Sequence, residues 1–577
     1  MASSAFVNAM NAPALTKHGV KGSDVYTEEG VGDLRVSLFQ KLVRGLDVAE
    51  IRRVVHQAFQ RPGASVEFLV DFAVMAFQTR DIRGGKGERD CAYIMLLAIF
   101  EEKPEWTEPL LRLVPEYGCW RDMWVLWEWS KSDYVKDAIL NVVKWHFFED
   151  LSRLPREGEK PKVKLSLLGK WLPREGSTHD ELAKVFSAAF FPDIPEEADR
   201  LRAYRKACSS LAQALAVIEQ KMCDKSGKWT EILPGSVPGR LMTKCRKAFL
   251  NEVCDRGRRK GKHQEGKNVI PAARFPDSED RQACRQNFLA HLAKVLEGKE
   301  TVKGANMVYP HEIVEKFFGR CRNTITSDEE ALLQAQWNSI RDAAKAQGGL
   351  RGIVPMSDFS GSMSGIPMEV SMALGILLSE INHPAFADYL LGFDSIPSWI
   401  SFKGMETLKE KVEHARRYAK GLSTDFQAAC DLILRRLVEN SVPRDEAPKD
   451  LLVLTDMGFD AACGVGQAGY YTGNYYTHNV KTAGWQTQLQ IIRSNFAAAG
   501  YEAPRIVIWN LRAEYKDFHA KADEDGVVVL SGWSPAVLKA IQKGGVEVRT
   551  PYQGLRELLD DARYDRVRQS VAMATPA

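Results

Sequence analysis

The sequence predicts two domains, an all-α array of stacked helices followed by a doubly wound α/β domain. Three observations carry this. The chain has 577 residues, and single hydrophobic cores stop growing near ~250–300 residues, so more than one domain is required. From Asp33 to about Ala346 apolar residues recur three or four apart, the helical period. From Leu350 onward short apolar runs alternate with helical patterns, the arrangement of a mainly parallel sheet. The expected divisions are an arm at 1–32, a helical domain at 33–346 and an α/β domain at 350–577.

Residues 1–32 are small, polar and glycine-bearing, and read as an arm or an irregular lead-in. Helical patterns follow at Ile51, Val55 and Phe59, at Phe68, Phe72 and Met75, and at Tyr93, Leu96, Leu97 and Phe100. Breaks such as Arg61-Pro62-Gly63 and Pro115-Glu116-Tyr117-Gly118 separate them. Helix pairs joined by short turns describe an array of the HEAT type, irregular because no strict period is visible. Arg83-Gly84-Gly85-Lys86-Gly87-Glu88 lacks the spacing of a phosphate loop and the buried strand that precedes one. It reads as a glycine turn between two helices, with Arg80, Asp81, Arg83, Lys86 and Arg89 left open as a binding surface. A long amphipathic helix is expected from Tyr204 to Gln220. Residues 201–270 carry 16 Lys+Arg against 6 Asp+Glu, or +10, in a chain whose total is +3. Arg240, Lys244, Arg246, Lys247, Arg256, Arg258, Arg259, Lys260 and Lys262 belong to this block. Such a density attracts phosphate backbones, and the alternative is a solvated loop on a helical scaffold.

The totals exclude several classes. No run of about 18 apolar residues exists, so no membrane span is expected. The first residues lack the charged-then-apolar layout of an export signal. Ten cysteines are scattered without a Cys-x-x-Cys pair, which argues against a zinc ribbon and for reduced thiols in an intracellular protein.

In the α/β part, strands are expected at Leu390–Phe393, Leu451–Leu454, Arg505–Trp509 and Val527–Leu530. Helices are expected at Met405–Tyr418, Asp425–Val438, Gln486–Ala499 and Pro535–Gln542. The segment Gly464 to Gly484 reads as a surface insertion or, through its tyrosines, a ligand-stacking loop. The chemistry lies in Asp358-Phe359-Ser360-Gly361-Ser362, which follows the apolar run Ile353–Met356 and precedes a helical pattern from Pro367 to Glu380. Strand, acidic and hydroxyl loop, then helix places three oxygen-bearing side chains at a strand C-terminus, where open α/β sheets bind ligands. Alone the motif also fits a turn with Ser364 as helix cap. Two further segments sharpen it. Thr424 stands at a second helix start, and Leu451-Leu452-Val453-Leu454-Thr455-Asp456 is an apolar run ending in an aspartate. Oxygen ligands of this kind suit Mg²⁺, with Ca²⁺ or Mn²⁺ as alternatives.

These residues resemble the metal-ion-dependent adhesion site (MIDAS) of the von Willebrand factor A family. The resemblance implies a Rossmann-like A domain and metal ligands at Asp358, Ser360, Ser362, Thr424 and Asp456. The family's third loop reads Thr-Asp-Gly, whereas this chain has Thr455-Asp456-Met457, which leaves that loop's shape in question. Arg80–Arg89, Tyr117–Asp122, Leu167–Pro173, Pro310–Ile313 and Val507–Arg512 widen the likeness. With Asp358–Met363 they resemble a "domain of unknown function" family of eukaryotes and large viruses. That family is similar in turn to the Ro autoantigen (TROVE) proteins, which join helical repeats to an A domain and bind RNA.

The resemblance implies an RNA-binding ribonucleoprotein subunit whose A domain holds a protein partner through an acidic group at the metal. The alternative is a protein–protein scaffold, viral or structural, using the metal without RNA. Hydrolysis would need a base beside the metal. The nearby candidates Asp425 and Asp460 read as a first-turn helix residue complementing the dipole and as a loop cap, so no enzymatic activity is expected. His311, before a helix in Pro310-His311-Glu312, reads as a cap or a packed core histidine.

Overall fold

The computed structural model describes residues 15–18, 24–154, 164–224, 226–252, 273–300, 308–318, 325, 327–346, 350, 352–393, 397–419, 425–458, 488–514, 517–542 and 548–575. Near the N-terminus β1 (Thr16–His18) and β2 (Asp24–Tyr26) pair antiparallel. The main sheet contains β3 (Ile353–Asp358), β4 (Tyr389–Phe393), β5 (Ser398–Ser401), β6 (Asp450–Thr455), β7 (Arg505–Asn510) and β8 (Val527–Ser531). Their spatial order is β5-β4-β3-β6-β7-β8, parallel throughout except for the β4–β5 pair. Helices cover both faces, so strands read as continuous apolar runs, and β3, β6 and β8 are buried along their whole length. The helix Ile366–Ile381 is buried along most of its length, as a helix apolar all round should be.

The winding runs outward from β3 to β5, returns, and continues from β6 to β8. This is the expected doubly wound fold, with its switch point between β3 and β6. The short strand β5 was not among the expected ones, because four residues with serines at both ends leave no apolar run to read. Register completes the picture. Ser357 lies opposite Leu454, Thr455 opposite Asn510, and Asn510 opposite Ser531. Asp358, Thr455, Asn510 and Ser531 therefore form a polar row across the C-terminal edge of four adjacent strands.

The chain divides into two compact units, one of residues 1–98, 309–325 and 341–565, the other of 99–308, 326–340 and 566–577. The change of sequence grammar at 346–350 is thus not where compactness divides the chain. The reason lies on that polar row. The helix Leu34–Lys41 ends with carbonyls that have no partner within the helix. Phe39 O accepts from Ser531 Oγ (2.5 Å) and from Lys86 Nζ (2.7 Å), and Gln40 O accepts from Asn510 Nδ2 (2.8 Å). N-terminal helices and sheet therefore share one core.

The glycine segment is the turn expected between the helices Val66–Arg80 and Arg89–Glu102. Its surface reading is corrected in part. Lys86 is fully buried, Asp81 is buried against Arg563, and Glu88 is buried against Arg44 (2.9 Å), which leaves Arg83 and Arg89 exposed. Gly85 is required here, since a Cβ would fall 1.9 Å from Gln78 O. His311 is the packed core histidine, stacked on Tyr309 and edge-on to Trp533.

The second unit is helical. The helices Asp133–Ser152, Asp180–Phe190 and Glu197–Ala214 pack through Phe147, Phe186, Phe190 and Tyr204. The helix expected over Tyr204–Gln220 instead begins at Glu197 and breaks after Ala214, where Ala216 takes a left-handed φ of 48° before Ile218–Cys223. The basic helix spans Gly239–Phe249 and buries Gly239, Met242, Arg246 and Phe249 on one face. Arg246 is therefore corrected from the solvent-facing set: its guanidinium pairs with Glu329 at 2.7 Å. Among the described residues no helix is long and apolar enough to cross a membrane, and no cysteine is in a disulfide.

Candidate metal centre

Asp358 ends β3, and Asp456 follows the last residue of β6, so the two carboxylates arrive at the switch point from adjacent strands. Both are fully buried. The chain after Asp358 turns at once: Ser360 N–H donates to Asp358 Oδ1 (2.9 Å), and a short 3-10 turn, Gly361–Met363, precedes the helix Ile366–Ile381. This turn brings the Ser360 and Ser362 hydroxyls within 3.0 Å of each other. The N-cap of that helix is Gly365, not Ser364. Across the strands Thr455 Oγ1 donates to Asp358 Oδ2 (2.9 Å), and Gly458 N–H donates to Asp456 Oδ1 (3.0 Å).

The electrostatics follow from this crowding. Burial, then the charge of Asp456, push the Asp358 carboxyl up to about 7, against the bonds from Ser360 and Thr455 that lower it. Two buried carboxylates facing one another are costly without a counter-charge. A divalent cation is such a counter-charge, and carboxylate and hydroxyl oxygens are the donors hard cations take. The residues present therefore fit the metal that the resemblance implies. No cluster of three His, Cys, Asp or Glu capable of holding a metal occurs among the described residues, so the pair would depend on its hydroxyls.

Of the five expected ligands, Asp358, Ser360, Ser362 and Asp456 come together at the strand ends, and Thr424 lies outside the described residues. Asp425 is the N-cap of the helix Phe426–Glu439, accepting from Ala428 N (2.8 Å), and so stands just before the first turn in which its sequence position had placed it. Asp460 and the segment Gly464 to Gly484 lie outside the described residues, as do Arg256, Arg258, Arg259, Lys260 and Lys262. Arg240 and Lys244 are exposed and Lys247 is half-buried on the face of their helix opposite Arg246.

The third loop answers the question its sequence raised. Met457 stands where glycine is usual, and it adopts φ 72°, the left-handed conformation that glycine takes freely. Its N–H donates to Thr455 Oγ1 (3.2 Å), its carbonyl accepts from His519 Nε2 (2.8 Å), and its side chain is buried in the sheet's core cluster. Left-handed backbone costs an L-residue about 1–2 kcal/mol, whereas removing a buried methionine side chain costs about 2–5 kcal/mol. Met457→Gly should therefore destabilise the protein by about 1–3 kcal/mol net. Denaturant unfolding checks this, and a gain in stability would show that strain outweighs packing.

Three residues that sequence reasoning did not nominate touch the site. Thr455 holds Asp358, and only its place beside Asp456 signalled it. Arg512 donates to Ser362 O and pairs with Glu514 (2.7 Å). The phrase Val507–Arg512 carries a resemblance but assigns Arg512 no role. His519 carried no signal.

A largely apolar cavity of about 280 Å³, lined by Ile353, Val354, Phe386, Tyr389, Trp399 and Ile433, lies at the opposite end of the strands from the carboxylates.

Comparison with known proteins finds similarities over most of the chain and over its α/β part. An uncharacterized protein, L728, of Acanthamoeba polyphaga mimivirus is 25% identical over 478 residues, covering 81% of this chain and 75% of that protein. Among solved structures, the Ro (RSR) protein of Deinococcus radiodurans is similar over 92% of this chain and 99% of that chain, with 13% identity and a TM-score of 0.40. Residues 353–574, which take in the whole six-stranded sheet and both buried carboxylates, match the model of a domain of unknown function, DUF7788.

Proposed function

We propose that this chain is a divalent-metal-dependent binding protein, in which Asp358, Ser360, Ser362 and Asp456 hold Mg²⁺ at the sheet's switch point. The observation that carries the reading is the pair of fully buried carboxylates at the ends of β3 and β6, with two hydroxyls beside them. Two carboxylates and one divalent ion sum to about zero charge. An acidic group of a protein partner would then meet little repulsion and gain a direct contact with the metal. The reading is of binding and not of turnover, because Asp425, a candidate base, is committed to capping a helix. Calorimetry with Mg²⁺ and Mn²⁺ tests it. Saturable one-site binding, lost in Asp456→Ala, is expected, and no heat of binding from either ion would refute it.

RNA binding by the helical unit is the second element of the proposal. It is supported by the spacing of Arg240, Lys244 and Lys247 at i, i+4 and i+7, which aligns them on the outward face of their helix. Each phosphate neutralised on a single strand contributes about −0.7 to the slope of log K against log salt. Replacing all three by alanine should weaken RNA binding and flatten that slope by about 2. A salt-independent affinity, or a slope unchanged in the triple variant, would remove this element and leave the protein–protein scaffold.

A further inference from the structure

The connection between β7 and β8 runs past both halves of the candidate metal centre and touches each through the backbone. Arg512 donates to Ser362 O, in the first loop. His519 lies against Met457 O, one residue beyond Asp456 in the third. Both contacts are to carbonyls, which only accept, so the protein side must supply the proton. For His519 this places a hydrogen on Nε2. Burial lowers the imidazole pKa, opposed by the Met457 carbonyl and by Asp517.

The Met457 peptide is thereby held at both ends. Its N–H is fixed by Thr455 Oγ1, which itself donates to Asp358 Oδ2, and its C=O is fixed by His519. One hydrogen-bonded series therefore joins the two carboxylate-bearing strands through a residue in an unfavourable backbone conformation. The connection also has its own anchor. Tyr26 N–H of β2 donates to Phe518 O (2.8 Å), Ala522 N–H donates to Val31 O (2.8 Å), and Lys17 of β1 pairs with Asp517 (3.3 Å). Lys41 Nζ sits 4.7 Å above the Phe518 ring.

We propose that Arg512 and His519 are positioning residues for the metal centre, Arg512 setting the first loop through Ser362 O and His519 the third through Met457 O. The N-terminal residues Lys17, Tyr26 and Val31, by clamping residues 517–522, supply the fixed base from which His519 acts. This rests on the metal reading above. It goes beyond that reading by making affinity depend on residues that do not contact the ion. Groups that orient metal ligands commonly change affinity by about 10–100-fold when removed.

The test uses the full chain with His519→Phe, which keeps an aromatic ring without the donor, and His519→Gln, which can restore an N–H toward Met457 O. Mn²⁺ affinity is measured by calorimetry well below each variant's unfolding midpoint, and hydrogen exchange of the Met457–Gly458 amides is measured in chelator. Expected are a tenfold or greater loss of Mn²⁺ affinity and faster exchange in His519→Phe, with both largely recovered in His519→Gln. Arg512→Gln should weaken Mn²⁺ binding without altering exchange at Met457. Wild-type Mn²⁺ affinity in His519→Phe overturns the positioning role even though the metal reading stands. Unaltered exchange overturns the clamp itself. Absence of Mn²⁺ binding by the wild-type chain overturns the metal reading and, with it, this inference.

Discussion

In chelator at pH 8, the Asp358→Asn protein should be more stable than the wild type, and Mg²⁺ should add nothing to it. Asparagine has the shape of aspartate and keeps the acceptor for Ser360 N–H at the 2.9 Å contact. Its Nδ2 can donate to Thr455 Oγ1, so that bond is reversed in sense and not simply lost. What disappears is one of two buried like charges. Replacing buried charges by neutral groups of similar volume is neutral or stabilising by about 1–4 kcal/mol, and a gain of about 1–3 kcal/mol is expected here. In the metal-free wild type the Asp358 carboxyl sits near 7, above its unfolded value, because of burial and Asp456. The folded state therefore binds more protons than the unfolded state between about pH 4 and 7, and stability falls as pH rises through that window. The variant lacks this slope, so the two proteins should converge below about pH 4. Metal reverses the order, since a ligand at 100 times its Kd stabilises by about 2.7 kcal/mol, and only the wild type can use it. Denaturant melts at pH 4, 6 and 8, each with chelator or Mg²⁺, read both effects. A variant less stable than wild type at pH 8, or one equally stabilised by Mg²⁺, would contradict the centre.

How far this was legible in the sequence depends on how local each contact is. Asp358, Ser360 and Ser362 lie within five residues after a continuous apolar run, so the loop was legible locally, and Thr424 and the strand ending in Asp456 were needed to give it a metal reading. The doubly wound order followed from strands and helices alternating. Arg246 was legible in principle, because Gly239, Met242, Arg246 and Phe249 follow one helical stripe and share its buried face, but its place among Lys244, Lys247 and Arg240 gives it the composition of a solvent-facing charge. Strand β5 escaped because an edge strand of four residues carries no pattern of its own. Arg512 and His519 act through carbonyls 150 and 62 residues away in sequence. No local rule reports a partner at that range, and a lone histidine in a loop has no periodicity to betray it. Lys86 is the sharpest case. Its glycine-rich surroundings and neighbouring arginines suggested a surface, and its true environment is supplied by a serine 445 residues further along.

Lys86→Ala should accordingly be among the most damaging single changes in the chain, costing about 3–5 kcal/mol. Its stem is fully buried, and its Nζ donates to Phe39 O (2.7 Å), Leu42 O (3.4 Å) and Ser531 Oγ (2.6 Å) while lying 3.6 Å above the Phe39 ring. Gly532, at φ 98°, makes room for that stem, since a Cβ there would come within 3.0 Å of the Lys86 Cβ. Deleting a buried stem of this size costs about 2–5 kcal/mol in lost contacts and cavity, and Leu42 O, deprived of its Lys86 bond, adds about 1–3 kcal/mol, offset in part because the buried amine is removed as well. Lys86→Met separates the two contributions. It keeps the stem, and it also removes the burial cost of the amine. Phe39 O keeps its bond from Ser531 Oγ (2.5 Å), so a loss of only about 0–2 kcal/mol is expected. The pH dependence gives an independent reading. Burial holds the Lys86 pKa well below the ordinary lysine value, against Cys91 and Glu88. In the alkaline range the unfolded chain therefore holds the proton more tightly than the folded one, and wild-type stability should rise with pH there, a rise absent in Lys86→Met. Equal damage from alanine and methionine would assign the effect to the hydrogen bonds, whereas no damage from either would mean that this capping does not hold the N-terminal helix to the sheet. Hydrogen exchange in β8 distinguishes a local from a global loss, because Ser531 ends that strand and the helix Leu34–Lys41 closes on it. Faster exchange confined to β8 and residues 34–42 would locate the loss at the polar edge that the helix shares with the metal centre.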